Sequence, residues 1–174
     1  MSYCNFVRDL PEDNVHRIYH DTQYGVPVES DDELFGRLLL EINQAGLSWD
    51  TILKKQDNFR KAYSGFSIGK VAAYTALDQN RLLQDAGIIR NTLKVNAAIF
   101  NAQQILKLQE TYGSFKAWLE LHRGKSKKEW VKLFKQNFKF TGGEITNEFL
   151  MSTAFLPGAH QMECEFYREI TSSC

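Results

Sequence analysis

Proline is scarce in this sequence, with three residues in 174, and the eleven glycines are scattered. This composition excludes a collagen-like chain, and together with a hydrophobic content of 43% it argues against a disordered or low-complexity one. No apolar run approaches the roughly 20 residues that cross a bilayer, so no membrane span is predicted. The first residues lack a basic segment followed by an apolar stretch, and we therefore expect a cytoplasmic protein.

Cysteine is also rare, and its three residues lie near the ends of the chain, at Cys4, Cys164 and Cys174. An odd number of cysteines in a chain of this size does not indicate a disulfide framework. Reduced thiols or metal ligands are the better interpretation. A chain of 174 residues is long enough for one compact unit with a real hydrophobic core.

The net charge is zero, but positive and negative residues are segregated along the chain. Residues 1–50 hold three Lys or Arg against ten Asp or Glu, and residues 140–174 hold one against five. Residues 51–115 hold nine against four, and residues 116–139 hold eight against two. A basic middle could bind a phosphate backbone, although charge alone favours ordinary solvated helix faces.

Apolar residues recur at helical spacing along almost the whole chain, and no alternating stretch is strong enough to predict a sheet. Ser30 and Glu33 form a capping-box pattern, and Gly46 supplies a left-handed stop after the helix that follows. Further helices are predicted over 48–55, 57–63, 78–86, 91–112 and 145–155, from Ser114 and from the capping box at 126–129, with a last short helix holding His160 and Cys164. The predicted fold class is all-α, an orthogonal bundle whose terminal segments could form a second lobe.

Glu41 lies on the same helix face as Leu34 and Leu38, so its carboxylate is predicted to point toward the core. A buried carboxylate without a partner is costly, and such a residue normally either forms a pair or takes part in function. Both interpretations stay open from the residues alone. The corner Gln44-Ala45-Gly46-Leu47-Ser48, followed by Trp49, would bring an amide and an indole close to this acid.

Two other stretches carry candidate binding residues. Tyr19, His20 and Tyr24 stand in a segment rich in aromatic residues, which suits a pocket that stacks on a flat ligand, but core packing explains aromatics equally well. Gly87, Ile88, Ile89 and Arg90 form a short connection that ends at a helix N-terminus, where free amides and Lys94 could hold a phosphate. An ordinary helix-helix connection is the alternative.

The ends of the chain hold a possible metal site. His160 and Cys164 are four residues apart, and with Cys4 and His20 they supply two thiolates and two imidazoles, the donor set of a tetrahedral zinc site. Chance placement of buried cysteines and solvated histidines is the alternative, since about 140 residues separate the halves. His16 and His122 fall outside this pattern and are interpreted as surface residues.

Together these stretches resemble DNA-3-methyladenine glycosylase I, a base-excision repair family of the helix-hairpin-helix superfamily. The resemblance runs along nearly the whole chain. The matching residues are Cys4, Tyr19-His20-Asp21, Gly25-Val26-Pro27, Leu40-Glu41, Gln44-Ala45-Gly46-Leu47-Ser48-Trp49, Ile52-Leu53-Lys54-Lys55, Gly87-Ile88-Ile89-Arg90, Phe138-Lys139-Phe140, and His160 with Cys164.

The resemblance implies a single glycosylase unit over 1–174, with a helix-hairpin-helix core over about 30–115 and a zinc-binding lobe made of 1–29 and 116–174. It implies one structural Zn²⁺ per chain, held by Cys4, His20, His160 and Cys164. Glu41 and Tyr19 would contact a methylated base flipped out of double-stranded DNA, Trp49 would stack on it, and Tyr24 would line the pocket. Gly46 and Leu47 would enter the gap in the duplex, and Gly87 to Arg90 would anchor the phosphate.

The implied activity is hydrolysis of the N-glycosidic bond of 3-methyladenine, leaving an abasic site. The sequence departs from the family at Tyr24, where a Trp is common, at His16, where a Tyr is common, and over 145–152, where a Tyr-Ser-Phe-Met-Gln type of stretch is usual. Two alternatives follow: a lesion-binding protein with little turnover, or a zinc-stapled helical module for protein interaction. We expect a monomer, because no long exposed apolar stripe is predicted.

Overall fold

The computed structural model describes residues 2–168, and this part of the chain is helical, without a β-strand. Eleven α-helices follow one another: α1 (Tyr3–Val7), α2 (Val15–Thr22), α3 (Asp31–Gln44), α4 (Trp49–Lys54), α5 (Gln56–Ala62), α6 (Ile68–Ala72), α7 (Ala76–Gln84), α8 (Thr92–Tyr112), α9 (Phe115–Leu121), α10 (Lys127–Asn137) and α11 (Gly143–Ser152), with a 3₁₀ turn at Ser64–Phe66. No helix among the described residues is long and apolar enough to cross a membrane. The predicted all-α fold class is confirmed.

Helix α3 is the central element of the fold. Its apolar residues Leu34, Leu38 and Ile42 are almost completely buried, and it contacts α4, α8, α9 and α11. Gly36 is required here, because a Cβ at this position would overlap the Phe66 ring. One continuous apolar core extends from α3 into both the predicted core over about 30–115 and the predicted lobe that includes 116–174. Its large residues include Phe59, Phe66, Ile105, Phe115, Trp118, Trp130, Phe134 and Phe149. The division into core and lobe stays a prediction.

Most helix starts follow the local signals in the sequence. The side chains of Ser30, Ser48, Asn91 and Ser114 each accept a hydrogen bond from a backbone N–H in the first turn of the following helix. These side chains satisfy amide groups that have no partner within the helix. The capping box at Ser126 and Glu129 is formed in both directions.

Several predictions about helix ends are wrong. Helix α7 begins at Ala76 with Thr75 as its cap, and Asp78 is the third helical residue of the capping box rather than the cap itself. Glu33 does not reach back to Ser30, because its carboxylate pairs with Arg60 at 2.6 and 3.0 Å. Residues 157–168 form turns and bends instead of the short helix predicted around His160. The role of Cys174 lies outside the described residues.

Candidate active site and metal centre

A cavity of about 360 Å³ opens where the N-terminal helices meet α3, α4 and α11. It is large enough for a flat ligand of the size of a purine. Its lining brings together residues from distant parts of the chain: Tyr3, Tyr19, Tyr24, Glu41, Gln44, Trp49 and Glu148. The family resemblance implied four residues around a bound base, and all four line this one cavity: Tyr19, Tyr24, Glu41 and Trp49.

Glu41 is the buried acid of the pocket, with only 6% of its surface exposed. Within residues 2–168 no cation pairs with it: the Arg37 guanidinium donates to the Gln23 carbonyl at 2.9 Å and to the Tyr19 hydroxyl at 3.5 Å. Burial raises the pKa of the Glu41 carboxyl to about 8, with a further contribution from Glu148 and an opposing one from Arg37. The carboxyl of the free pocket therefore holds a proton most of the time at pH 7.

Aromatic rings form the walls around this acid. The Tyr19 ring centroid lies 5.3 Å from that of Trp49 at 68° and 5.7 Å from that of Tyr24. Tyr3 closes the opposite side, 5.3 Å from Tyr24 in an edge-on arrangement. Burial raises the pKa of the Tyr3, Tyr19 and Tyr24 hydroxyls, so all three remain protonated and can donate hydrogen bonds. Such a pocket offers ring faces for stacking and polar atoms for the edge of a flat ligand.

The corner between α3 and α4 lies at the rim of the pocket. Gly46 has a φ of +79°, the left-handed conformation that the sequence predicted, and the apolar Leu47 beside it is 38% exposed. Lys94 has a different position from the one expected, because its side chain is buried and its ammonium donates to the Asn43 and Ala45 carbonyls at 2.8 and 2.7 Å. In this structure its charge satisfies the carboxyl end of α3, and a phosphate contact of Lys94 stays a prediction.

Replacing Lys94 should loosen this corner. We expect Lys94→Met to lower the free energy of unfolding by about 2 kcal/mol, because two carbonyls near the end of α3 lose a charged donor. Urea denaturation measures the effect. The matched control is Lys107→Met at an exposed position of the same helix, α8, which should change stability by less than about 0.5 kcal/mol. Equal stabilities for the two variants would show that the buried ammonium does not stabilise the corner.

In the connection before α8, only some of the backbone N–H groups are available to bind an anion. The Asp85 carboxylate accepts a hydrogen bond from the Gly87 N–H at 2.8 Å, and Ile88 is buried. Within the described residues, the N–H groups of Ile89 and Arg90 donate to no protein group. The Arg90 side chain is exposed. These two amides and the guanidinium are the groups of this connection that remain available to an anion.

The four residues predicted as metal ligands come together at the junction of the two chain ends. Their ligand atoms all lie within 4.8 Å of one another. His160 Nδ1 is 3.6 Å from the sulfur of Cys4, 3.6 Å from that of Cys164 and 3.1 Å from His20 Nε2. Zinc bond lengths of about 2.0–2.3 Å put tetrahedral ligands about 3.3–3.8 Å apart. The four residues could therefore hold a metal ion.

The surrounding hydrogen bonds leave the right ring nitrogens free for a metal. His160 Nε2 lies 2.7 Å from the Tyr24 carbonyl oxygen, and His20 Nδ1 lies 2.7 Å from Asp21 Oδ1. Each of these nitrogens therefore carries the proton, and the opposite nitrogen of each ring faces the cluster. Gly25 allows the backbone after α2 to lie close to Ala159 and His160, because a Cβ there would lie 2.7 Å from Ala159 Cβ and 3.0 Å from His160 Cδ2.

Comparison with known proteins is consistent with this geometry. The methyladenine glycosylase family model matches residues 10–140 of the chain. The chain belongs to the methyladenine glycosylase family. DNA-3-methyladenine glycosylase 1 of Escherichia coli K12 is 43% identical over 110 residues, which are 63% of this chain and 57% of that protein. The aligned part of the chain thus spans little more than half the length of this relative.

Solved structures of the family cover more of the chain. A mutant of 3-methyladenine DNA glycosylase I from Staphylococcus aureus, with Gln in place of Glu, has a TM-score of 0.86 and 31% identity, covering 97% of this chain and 99% of that one. A Tyr-to-Phe variant of 3-methyladenine DNA glycosylase I in complex with 3-methyladenine has a TM-score of 0.84 and 32% identity, covering 95% and 97%. The methyladenine glycosylase fold therefore extends over nearly the whole chain.

Three residues at or beside this pocket were not identified from the sequence. Tyr3 and Glu148 line the cavity, and Arg37 lies with its guanidinium carbon 5.5 Å from the centre of the Tyr19 ring. Arg37 stands one helical turn before Glu41, a spacing that could have indicated it. His16 and His122 are half-buried rather than surface residues, because His16 contacts the Tyr3 hydroxyl at 3.0 Å and His122 packs edge-on against the Trp118 ring.

Proposed function

We propose that this chain hydrolyses the N-glycosidic bond of 3-methyladenine in alkylated double-stranded DNA and leaves an abasic site. The observation that carries this proposal is a buried carboxyl, Glu41, at an aromatic pocket in a member of the methyladenine glycosylase family. Named relatives are 3-methyladenine glycosylases, and one related structure binds 3-methyladenine. A base inside a duplex must leave the stack to enter such a pocket.

Charge is the basis of selection in this proposal. Methylation at N3 makes adenine a cation, whereas the unmodified base is neutral. A cation beside Glu41 favours the ionised carboxylate, which is strongly attractive where water is excluded. The neutral base gains no such interaction and leaves the Glu41 carboxyl protonated. The rings of Tyr19 and Trp49 hold either base, so the carboxyl supplies the discrimination.

The reaction needs little chemical assistance because the bond is already weakened. When the bond between C1′ of deoxyribose and N9 of the base breaks, its electron pair moves to the base, which leaves as a neutral molecule. The oxygen of a water molecule forms a bond to C1′, and the water proton passes to solvent. The departing base no longer carries the charge that held the Glu41 carboxylate ionised. Glu41 then recovers a proton as the product leaves.

We assign Zn²⁺ to the cluster of Cys4, His20, His160 and Cys164, because two thiolates and two imidazoles at these distances fit its tetrahedral shell. Four protein ligands leave no open position, so the ion would supply structural stabilisation and no chemical step. It would join α1 and α2 to the C-terminal segment, and these elements carry Tyr3, Tyr19 and Tyr24 of the pocket. The ion would therefore fix part of the pocket wall.

DNA would contact the rim on which the exposed corner and the α8 connection lie. Gly46 and Leu47 would fill the gap left by the flipped base, as apolar wedges do in duplexes. The Ile89 and Arg90 amides with the Arg90 side chain would hold a phosphate, supported by Gly87 and Ile88. A monomeric, cytoplasmic enzyme is the form we propose.

The function is tested by incubating the purified protein with DNA methylated by dimethyl sulfate and identifying the released bases by chromatography. We expect free 3-methyladenine and no unmodified adenine. Binding of alkylated DNA without base release would support the alternative of a lesion-binding protein. Absence of any salt-dependent affinity for DNA would contradict both interpretations.

A further inference from the structure

Glu148 is a second carboxylate on the cavity that holds Glu41. It belongs to α11, which packs against α3, and the two acids line the same space from these two helices. Glu148 is half-buried. Nothing in the proposed reaction so far uses it.

The surroundings of the two acids contain little compensating positive charge. The titratable and charged groups whose pKa values are coupled to those of the two acids come from five parts of the fold. They are Tyr3 from α1, Tyr19 and Tyr24 from α2 and the segment after it, Arg37 from α3, Lys127 from α10 and Glu144 from α11. Arg37 already donates to the Gln23 carbonyl, and Lys127 is exposed. Two like charges on one partly buried cavity disfavour each other's ionisation, so we do not expect both carboxyls to be ionised at once in the empty pocket.

We propose that Glu41 and Glu148 act as an electrostatically coupled carboxyl pair that exchanges one proton for the positive charge of the methylated base. This inference rests on the proposed function. In the empty pocket the proton stays mainly on Glu41, the more deeply buried member. When the cationic base enters, that proton passes to solvent and both carboxylates face the base. The pocket gains one positive charge and loses one, so its net charge does not change.

The exchange makes recognition depend on pH with a defined sign. Burial and Glu148 raise the pKa of Glu41 to about 8, and burial raises that of Glu148 as well. Below pH 8 the cation must displace a proton, so kcat/KM should fall with decreasing pH, by about tenfold per unit. Removing the charge of Glu148 should let Glu41 ionise at lower pH. The fall in activity should therefore begin at lower pH in such a variant.

Glu148→Gln is the test variant, and Glu144→Gln is its matched control, because Glu144 is an exposed acid one turn earlier on the same helix. NMR of ¹³C-labelled glutamate carboxyls, assigned with Glu41→Gln, follows the titration of Glu41 without DNA. We expect a midpoint near pH 8 in the unmodified protein and in the control, and a lower one in Glu148→Gln. An unchanged Glu41 midpoint in Glu148→Gln would overturn the coupled pair.

The second readout is the pH profile of base release from methylated DNA. In the unmodified protein kcat/KM at pH 6 should be about 50-fold below that at pH 8, because Glu41 is half ionised at pH 8 and about 1% ionised at pH 6, and this ratio should shrink in Glu148→Gln but not in Glu144→Gln. A merely structural role for Glu148 would lower activity equally at both values of pH and would contradict the proposal. Failure of the unmodified protein to release 3-methyladenine would contradict the proposed function, while the NMR titration would still decide whether the ionisations of the two acids are coupled.

Discussion

Glu41→Gln should reduce the release of 3-methyladenine by about 100-fold or more in kcat/KM, the largest effect expected of any single side chain in the pocket. Glutamine has nearly the same shape but cannot become an anion, so the cationic base loses its counter-charge in a shielded site. A loss of about 3 kcal/mol corresponds to that factor. Quantification of released base from methylated DNA at pH 8 measures the effect. Activity within threefold of the original protein would remove Glu41 from the mechanism.

The stability of Glu41→Gln provides the control for its loss of activity, because we expect the variant to be less active but more stable than the original protein. The folded-state pKa of Glu41, about 8, lies above its ordinary value of 4.5. The folded protein therefore binds the proton more tightly than the unfolded chain, and its stability falls as pH rises from about 4.5 to 8. Glu41→Gln removes this loss, so the variant should be more stable by a few kcal/mol at pH 8 and nearly unchanged at pH 4. A less stable variant at pH 8 would indicate that a folding defect causes the loss of activity.

Removal of one ligand from the cysteine and histidine cluster should have the largest effect on stability. The unmodified protein should contain one zinc per chain, and Cys164→Ser should contain much less, because the shell loses one of its two thiolates. We expect a loss of about 3 kcal/mol in the free energy of unfolding, which corresponds to about 6–12 °C in Tm for a chain of this size. Metal analysis and thermal denaturation measure the two quantities.

Cys174→Ser is the matched control for that variant, because Cys4, His20, His160 and Cys164 already supply the four ligands of a tetrahedral shell. It should retain both the zinc and the stability of the original protein. Treatment with a strong chelator should destabilise the original protein and Cys174→Ser alike, with little effect on Cys164→Ser. Full zinc content in Cys164→Ser would show that the cluster does not bind the ion as we propose.

The sequence predicted the elements whose cause is local. The helix starts at Ser30, Ser48 and Ser114 were predicted because each side chain acts on amides within the next turn. The inward direction of Glu41 followed from helical spacing alone, and the structure confirms its burial. The start of α7 was misplaced because Asp78 suits both the cap and the third position of a capping box.

Features that depend on tertiary packing could not be predicted in the same way. Glu148 lies more than 100 residues from Glu41, and only the packing of α11 on α3 brings the two acids to one cavity. Lys94 follows a short connection that suggested a phosphate site, but α3 ends beside it, and the Lys94 ammonium donates to carbonyls at that end. The turns around His160 replace a predicted helix, while the spacing of His160 and Cys164 still lets both reach the cluster. Local sequence patterns indicate which residues are candidates for a site, and long-range packing determines which groups they contact.

Comparison of two small ligands tests most directly whether the pocket recognises positive charge. The 3,9-dimethyladeninium ion carries the charge of the lesion, and neutral 9-methyladenine has nearly the same shape. Titration calorimetry at pH 8 should show at least about tenfold tighter binding of the cation to the original protein, and little preference in Glu41→Gln. Equal affinity of the original protein for the two ligands would contradict the account.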